Sequence, residues 1–277
     1  MKKYFLFVLA FILLFPALVY AKDEDFYFDV ITDTHLIREK DDFMHPYPST
    51  EKIVNYIIKD KPDFVIHAGD MIQTSYAKKY SDEAIYDMWK KFDNSVYLPF
   101  KKANIDMFVT KGNHDVLWEA EPIYNKIWAE RKFTKDIEGS PLSYYTFEHK
   151  QCFFIVMDGS GVWISDKQRT WLKEQIKKGA KYRAVFVISH LGINGSKRHP
   201  DDHMDKVAID ILSSAPYKIT LISGHHHKYD VCNHTKNLKN IVVGTAGSDV
   251  NAMWVKFHVK GKNVEFTPMW LSEMEQE

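Results

Sequence analysis

Cysteine is scarce in this chain of 277 residues, which contains only Cys152 and Cys232. So few thiols exclude a small disulfide-stapled scaffold and a zinc site built from four cysteines. An oxidising compartment would permit one bridge between the two. Two separately buried thiols are an equally weighted alternative, because each cysteine lies in an apolar run typical of a strand.

An excess of charge of either sign is also missing, since 37 basic side chains balance 37 acidic ones. The chain therefore has no overall field that would draw it to nucleic acid or to an anionic membrane. Recognition of a ligand has to depend on local groups. The sequence leaves the oligomeric state open.

Long apolar runs are absent apart from one at the N terminus. Lys2 and Lys3 precede an almost wholly apolar stretch over 4–19, which is interrupted by Pro16, and Ala21 provides a small residue for cleavage. This is the layout of an export signal. A retained membrane anchor is the less favoured alternative, because a spanning helix needs about 20 apolar residues.

We therefore predict that residues 1–21 are a signal peptide and that 22–277 form a single domain. The remaining chain is long enough to bury a sizeable core as one domain and rather short for two. The predicted product is secreted or periplasmic, with no stable membrane span once the signal is removed.

What the chain does contain is a regular alternation of strand-like and helix-like segments. Seven short apolar runs have the length and composition of strands: Phe26–Thr32, Asp63–Ala68, Met107–Thr110, Phe153–Met157, Ala184–Ser189, Ile219–Ser223 and Ile241–Val243. Five amphipathic stretches read as helices: Thr50–Lys59 after a Ser49 cap, Ser81–Phe92, Glu121–Arg131, Asp166–Lys178 and Asp205–Leu212. The alternation predicts an α/β layered core, and later runs near Val231, Val255 and Val264 predict additional antiparallel strands.

Polar clusters follow five of these strands where ordinary turns would be expected. They are Asp33-Thr34-His35, Gly69-Asp70, Gly112-Asn113-His114-Asp115, His190 and Gly224-His225-His226-His227. Because ligands of α/β sheets bind outside the carboxyl ends of strands, these clusters are expected to meet at one rim. A glycine before Asp70, Asn113 and His225 would allow a sharp turn there.

Carboxylate, imidazole and amide donors together suit Zn²⁺, Mn²⁺ or iron rather than a structural zinc site with thiolates. The candidate ligands are too numerous for one tetrahedral ion: Asp33, His35, Asp70, Asn113, His190, His225 and His227. Two ions that share one carboxylate account for the number. Paired metals of this kind act on both the attacking and the leaving oxygen of a displacement at phosphorus.

The ordered set Asp-x-His, Gly-Asp, Gly-Asn-His-Asp, a separate His and Gly-His-x-His resembles the signature of calcineurin-like metallophosphoesterases. It extends from Asp33 to His227, over most of the mature chain. The resemblance implies a layered β-sandwich core flanked by helices, with a metal site at the carboxyl ends of the strands. It also implies hydrolysis of a phosphoester by a metal-bound hydroxide.

The resemblance further implies how the site residues divide. Asp33, His35 and His227 would hold one metal, Asn113, His190 and His225 the other, and Asp70 would bridge the two. His114 would not be a ligand; it would stabilise the phosphoryl oxygens or protonate the leaving alkoxide. Asp115 is expected either to orient a neighbouring group or to cap a turn.

Several other histidines are not expected to bind metal. His226 should face away from its two neighbours, and His67 reads as a hydrogen-bonded core residue. His199 and His203 lie in a polar loop whose Lys197 and Arg198 could meet a phosphate, although a solvated loop is the favoured interpretation.

Departures from the signature narrow the subclass. Protein Ser/Thr phosphatases and purple acid phosphatases are disfavoured, because Met71 to Thr74 lack the further Asp and Arg of the former and Gln73 replaces the metal-binding Tyr of the latter. The opening Asp33-Thr34-His35 resembles the phosphodiesterase and general phosphoesterase branches. The expected substrate is a small-molecule or lipid-head-group phosphoester, monoester or diester.

Two rival functions remain. A metal-binding or recognition protein of the same fold would keep the ligands without turnover, although His114 argues against it because it adds no ligand. A metallo-β-lactamase-like hydrolase is disfavoured, because its compact His-x-His-x-Asp-His core is absent. Some of the abundant aromatic residues could stack on a base or cover an alkyl chain of a substrate, but such residues more often simply pack: Tyr76, Tyr80, Trp89, Trp118, Trp128 and Trp163.

Overall fold

The computed structural model describes residues 24–37, 48–131, 137–140, 142–195, 201–248 and 250–276. The predicted signal segment and the loop residues Lys197, Arg198 and His199 lie outside these ranges. Within them the chain forms two β-sheets with helices on the outer faces, as the sequence predicted.

The strands are β1 (Phe26–Ile31), β2 (Phe64–His67), β3 (Asp106–Val109), β4 (Ile137–Gly139), β5 (Tyr145–His149), β6 (Cys152–Val156), β7 (Ala184–Ile188), β8 (Ile219–Ser223), β9 (Asp230–Asn233), β10 (Leu238–Val242), β11 (Met253–Lys260) and β12 (Asn263–Trp270). One sheet has the order β12-β11-β1-β2-β3 and the other β4-β5-β6-β7-β8-β10-β9. The strands that carry the polar clusters pair in parallel within each sheet, so their carboxyl ends share an edge. The late strands β9, β11 and β12 pair antiparallel, as predicted.

The helices are α1 (Ser49–Asp60), α2 (Asp82–Phe92), α3 (Leu98–Lys102), α4 (Asn113–Val116), α5 (Ala120–Ala129), α6 (Asp166–Gly179), α7 (Lys206–Ser213) and α8 (Leu271–Met274), with a π-helical turn at Asp93–Tyr97. Side-chain caps begin three of them. Ser81 accepts from the Ala84 N–H at 3.3 Å, Ser165 from Gln168 at 3.2 Å and Asp205 from Ala208 at 3.0 Å.

The predicted Ser49 cap of α1 is wrong. Pro48 occupies the cap position without a side-chain bond, and Ser49 is already helical. Its hydroxyl donates instead to the carbonyl oxygen of Ala246 at 3.2 Å. The Ser49 hydroxyl, which the local sequence pattern predicted to cap α1, therefore forms a tertiary hydrogen bond instead.

The two sheets pack face to face through phenylalanine rings. Phe28 of the first sheet meets Phe154 and Phe186 of the second edge to face, at centroid distances of 5.5 and 5.2 Å. All three are fully buried. Burial of each such side chain contributes about 1.5–3 kcal/mol, so this layer fixes how the two strand edges meet.

Helices cover the outer faces with their apolar sides. Ile53, Val54 and Ile57 of α1 are buried against the first sheet, and Leu172 of α6 and Leu212 of α7 belong to the core on the outer side of the second. The sheets are thus held in a helix–sheet–sheet–helix order, with the carboxyl edges of the central strands left for the site.

Cys152 is buried on β6 and Cys232 is part-exposed on β9. The strands β7, β8 and β10 lie between them. Four steps of about 4.8 Å separate such strands, far beyond the ~7 Å limit for a bridged pair. The fold therefore excludes a disulfide between Cys152 and Cys232.

Among the residues that the structure covers, none of the helices combines the length and the apolar character that crossing a membrane requires.

Candidate metal centre

Every residue predicted to hold a metal lies at the same rim. Asp33 and His35 follow β1, Asp70 follows β2 and Asn113 opens α4 after β3. His190 follows β7, and His225 and His227 follow β8. The first sheet thus provides four of the seven side chains and the second sheet provides three.

The backbone at this rim adopts conformations that side chains rarely take. Five of the seven residues have positive φ: Asp33 (51°), His35 (45°), Asp70 (56°), His225 (69°) and His227 (53°). Each left-handed residue other than glycine costs about 1–2 kcal/mol, so the surrounding structure must hold these conformations in place. Backbone bonds do so, from Asp33 N to Gly69 O at 3.0 Å and from His35 N to Asp70 O at 3.1 Å.

Glycines allow the strand ends to approach each other closely. A Cβ on Gly112 would lie 2.2 Å from the backbone nitrogen of Asp70, and one on Gly69, which has φ of 97°, would lie 2.6 Å from Nδ1 of His190. No side chain fits at either position. The sequence predicted glycine here for a sharp turn, which the positive φ of Gly69 agrees with, whereas the backbone of Gly112 is extended and its glycine is required by the close approach of Asp70.

One group of donors consists of Asp33, His35 and His227. Oδ1 of Asp33 lies 3.2 Å from Nε2 of His227 and 3.6 Å from Nε2 of His35. Oδ2 of Asp33 is occupied by the backbone N–H of His225 at 3.0 Å, and the Thr32 hydroxyl donates to it at 2.7 Å. Because these two bonds fix Oδ2 of Asp33, its Oδ1 is directed toward the imidazoles of His35 and His227.

A second group consists of Asp70, His190 and His225, with Asn113 beside it. Oδ1 of Asn113 lies 3.1 Å from Nε2 of His190 and 3.0 Å from Nδ1 of His225. Nδ1 of His190 is 2.9 Å from the carbonyl oxygen of Ala68 and donates its proton there. This fixes Nδ1 as a donor to the backbone and leaves Nε2 of His190 facing the site.

Asp70 belongs to both sides of the centre. Its Oδ2 lies 3.1 Å from Nε2 of His190 and 3.7 Å from Nε2 of His35. Its Oδ1 accepts the backbone N–H of His114 at 2.8 Å. A carboxylate between two imidazoles that belong to different donor groups is the arrangement a bridging ligand requires.

The donor set fits a pair of transition-metal ions. Two ligands bound about 2.1 Å from one ion lie about 3.0–3.4 Å apart. The distances from Asp33 to His227 and from Asp70 to His190, 3.2 and 3.1 Å, lie in that range, and those from the same carboxylates to His35, 3.6 and 3.7 Å, lie slightly above it. Oδ1 of Asp33 and Nδ1 of His35 are buried and have no hydrogen-bond partner within the described part of the chain. A buried carboxylate oxygen that faces imidazole lone pairs is costly unless a cation lies between them.

The pKa shifts of the side chains at the rim also indicate that a cation is favoured there. Burial would raise the pKa of Asp70, but His190 and His35 hold it below its ordinary value. Burial would lower the pKa of His190, yet Asp70 and Asp33 raise it to about 10. The two carboxylates thus retain a proton on an adjacent imidazole, at a position that a metal ion can take.

His114 lies next to the donors but differs from them in its bonding. Its Nδ1 bonds to the carbonyl oxygen of Thr74, and the Thr74 hydroxyl donates to the carbonyl of His114. Its ring packs edge to face on His35 at a centroid distance of 4.9 Å. The remaining Nε2 is free for the site, and a nitrogen of His114 also lies close to donors of His35 and Asp70.

Asp115 is the residue whose role the sequence left open between orienting and capping. Its Oδ2 accepts the N–H groups of Asp70 and Gly112, both at 2.9 Å, and its Oδ1 accepts those of Met71 at 2.8 Å and Ile72 at 3.2 Å. One buried carboxylate therefore performs both tasks, because it caps α4 and holds the turn that contains Asp70.

Among the described residues, the remaining histidines belong to neither donor group. Nε2 of His67 lies 3.1 Å from the Thr34 hydroxyl in the core. Nδ1 of His203 lies 2.8 Å from the carbonyl of Met204. Sequence reasoning did not single out Asp202, whose Oδ2 lies 3.6 Å from Nε2 of His225. Its position on a loop after β7 gave no signal.

Comparison with known proteins gives a family match and a set of structural neighbours. A family model described as calcineurin-like phosphoesterase matches residues 26–229. No curated protein sequence matches the chain.

A dimetal phosphatase from Danio rerio has a TM-score of 0.60 at 12% identity, over 88% of this chain and 98% of that one. GAP50, described as the anchor in the inner membrane complex of Plasmodium, has a TM-score of 0.61 at 13% identity, over 89% of this chain and 84% of that one. A 5'-nucleotidase from Candida albicans has a TM-score of 0.53 at 13% identity, over 87% of this chain and 50% of that one. At these identities the neighbours establish the fold.

Proposed function

This chain belongs to the calcineurin-like phosphoesterase family, and from that premise we propose that it is an exported phosphoester hydrolase with a dinuclear metal centre. The reaction class follows from the family. The ligand assignment, the export and the substrate are the parts that we propose here.

The proposed first metal is held by Asp33, His35 and His227, and the second by Asn113, His190 and His225. Asp70 bridges them. Two ions at these positions would polarise the phosphoryl oxygens and lower the pKa of a bound water toward neutrality. Mn, Zn or Fe are the candidates, because the donors are a mixture of imidazole nitrogen and carboxylate or amide oxygen.

One observation supports this assignment more than any other. Oδ2 of Asp70 lies between Nε2 of His190 at 3.1 Å and Nε2 of His35 at 3.7 Å, and these two imidazoles come from different sheets. An isolated carboxylate that is 1% exposed would be stable there only with its charge balanced on both sides.

The protein's own residues have two further tasks in the proposed reaction. His114, whose Nδ1–H donates to the carbonyl oxygen of Thr74, presents Nε2 to the space beside His35. In its protonated form this imidazole can donate a hydrogen bond from Nε2 to a phosphoryl oxygen or a proton to the leaving group. Asp115 keeps the Asp70 turn in place through three backbone N–H groups of residues 70–72. Both tasks depend on geometry set before substrate arrives.

The proposed substrates are small-molecule phosphoesters, including nucleotides and lipid head groups. Because acidic and basic side chains balance, the chain has no excess positive charge that would attract a nucleic acid. Two of the structural neighbours, from Candida albicans and Haemophilus influenzae, are described as nucleotidases, which supports nucleotides as the first compounds to assay.

The test is reconstitution of purified, metal-stripped protein with Mn, Zn or Fe, followed by elemental analysis and a screen of phosphate monoesters and diesters. We expect close to two metals per chain and hydrolysis that a chelator abolishes. Full activity of the metal-free protein would refute the centre.

A recognition role without turnover is the second candidate, and the similarity in fold to GAP50, described as an anchor, favours it. The same screen separates the two. A protein that retains two metals but hydrolyses no activated ester, neither monoester nor diester, would be a binding protein.

A further inference from the structure

Two large aromatic side chains beside the metal centre are exposed to solvent. Tyr76 is 65% exposed and Trp118 is 57% exposed, whereas most aromatic side chains of the described chain are packed. Tyr76 lies on the loop after β2 and Trp118 on the turn after α4, so both follow strands whose ends provide proposed metal ligands. Their exposure excludes a role in the core.

Tyr76 faces the centre. Its ring packs edge to face toward His114, with the centroids 6.1 Å apart. Partial burial raises the pKa of its phenol, the Asn113 side chain lowers it, and the carboxylates of Asp70 and Asp202 raise it further. The phenol therefore lies within the field of donors on both sides of the centre.

Trp118 is held in an unfavourable backbone conformation. Its φ is 55°, a region that bulky side chains rarely occupy. Its indole N–H donates to the carbonyl oxygen of Ser75, the neighbour of Tyr76, at 3.1 Å. Strain of this kind persists where the surroundings fix it, and such sites are often functional.

The two loops are joined at further points. Lys79 forms an ion pair with Glu119, and the Thr74 hydroxyl donates to the carbonyl oxygen of His114. The loop of Tyr76 and the turn of Trp118 are thus fixed to each other on either side of the aromatic residues. An aromatic surface held in this way binds a ring at a low entropic cost.

We propose that Tyr76 and Trp118 form a binding surface for an aromatic ring in the leaving group of the ester. The inference rests on the proposed hydrolase function and names its substrate class. The phosphoryl group has to lie at the metal donors, so the rest of the ester extends past His114, where these two side chains are exposed. Aromatic rings of different chemical types, including nucleobases, stack on tyrosine and tryptophan side chains.

The test compares two esters that differ only in aromaticity, 2-phenylethyl phosphate and 2-cyclohexylethyl phosphate, each as monoester and as methyl diester. Both leave as primary alkoxides of similar size, so the cleavage step is matched. We expect the metal-loaded enzyme to prefer the phenyl ester by about 5-fold in kcat/KM, through KM rather than kcat.

Three variants test whether Tyr76 and Trp118 cause the preference for the phenyl ester. In Tyr76→Ala combined with Trp118→Asn the kcat/KM ratio should fall from about 5 to about 1, because both rings that pair with the phenyl group are removed. Asparagine at 118 tolerates positive φ better than tryptophan does, so that substitution removes the ring without adding backbone strain. Tyr76→Phe should keep the ratio. Tyr27→Ala is the matched control, because Tyr27 is 40% exposed and lies at the opposite end of β1.

Calorimetric binding of the non-hydrolysable 2-phenylethyl and 2-cyclohexylethyl phosphonates separates this inference from the proposed function. A binding preference for the phenyl compound that the double variant loses supports the aromatic surface, even if neither ester is hydrolysed. Hydrolysis of both esters with equal kcat/KM and equal phosphonate affinities would overturn the surface and leave the hydrolase function intact.

Discussion

At the scale of single residues, Asp70 has the most consequential position. Its two oxygens are shared among the His114 N–H, His190 and His35. We expect Asp70→Asn to lower metal content and turnover together, because the amide cannot supply the negative charge that holds two cations. Elemental analysis alongside kcat measures both.

Asp87→Asn is the control for that substitution, since Asp87 is exposed on α2 and should retain both metals and activity. If Asp70→Asn kept two metals per chain, the bridging assignment would be wrong.

His114 should behave differently from the ligands. We expect His114→Ala to retain its metals while kcat falls by about 10²–10⁴-fold, the range for loss of a positioned proton donor. The loss should be larger for alkyl esters than for nitrophenyl esters, because a nitrophenolate needs little protonation.

His234→Ala, at an exposed loop position between β9 and β10, should leave activity on both esters unchanged. Loss of a metal from His114→Ala would indicate ligation, which its closeness to donors of His35 and Asp70 permits. An equal loss on both classes of ester would indicate stabilisation of charge rather than proton donation.

That the proposed ligands meet at one rim could be predicted from the sequence, because each follows a strand and strand ends are readable from composition. Their role as metal ligands stays a prediction. Asp202 was not singled out, and Tyr76 and Trp118 were named only among six aromatic residues that could contact a substrate or simply pack. They lie on loops whose paths depend on contacts such as Trp118 to Ser75, which join residues 43 positions apart. No local pattern encodes such a contact.

At the scale of elements, β1 contains a carboxyl group in an unfavourable place. Asp29 is fully buried opposite Lys256 on β11. Burial and the nearby Asp60 raise its pKa to about 8, against weaker opposing effects of Lys256 and Trp254. The folded protein therefore binds a proton here that the unfolded chain, with an ordinary carboxyl pKa, releases above pH of about 4.

This difference in protonation makes stability fall as pH rises from about 4 to about 8. We expect Asp29→Asn to stabilise the protein by on the order of 2 kcal/mol at pH 8, with a gain that shrinks toward pH 4. Urea midpoints at pH 5, 7 and 9 would show it. A gain that does not depend on pH would contradict the assignment.

Asp63, just before β2, is a matched control because its pKa is shifted in the opposite direction. Burial alone would raise the pKa of this carboxyl, but Lys150 and His149 lower it below its ordinary value. Its contribution is present above its ordinary pKa and is lost in acid. Asp63→Asn should therefore destabilise the protein at neutral pH, and the deficit should shrink as the pH falls.

Most helices and strands were predicted because their periods are strong, and the boundaries agree within a few residues. The elements that were missed are short or polar: β4, β5, α3, α4 and α8. Helix α4 has only four residues and exists because Asp115 caps it and Gly112 allows the close approach of Asp70. Tertiary contacts rather than propensity form such an element.

At the scale of the whole molecule, the two sheets are joined at their carboxyl edges by the proposed ligands. We therefore expect metal binding to stabilise the entire fold. At a free concentration of 100 times its Kd, each ion adds about 2.7 kcal/mol. For a domain of this size two ions should raise Tm by roughly 10–20 °C.

Thermal unfolding of chelated protein before and after addition of Mn or Zn would measure that rise. The rise should be much smaller in Asp70→Asn. An equal Tm with and without metal would show that the donors do not connect the sheets.

Export and the single-domain division remain predictions, because residues 1–23 lie outside the described chain. We expect the mature protein to begin at Lys22 and to accumulate outside the cytoplasm, because a charged start, a short apolar run and Ala21 precede it. N-terminal sequencing of the native protein decides this. A chain that begins at Met1 in the membrane fraction would contradict it.

The separation of the ligands along the chain has a consequence for biosynthesis. The bond from the His225 N–H to Asp33 joins residues 192 positions apart, so the centre cannot form until nearly the whole polypeptide has been made and folded. A chain exported in an extended state would therefore acquire its ions after translocation. Because sites of this kind are filled according to metal availability as much as affinity, the compartment in which β8 finally folds beside β1 would select the native metal.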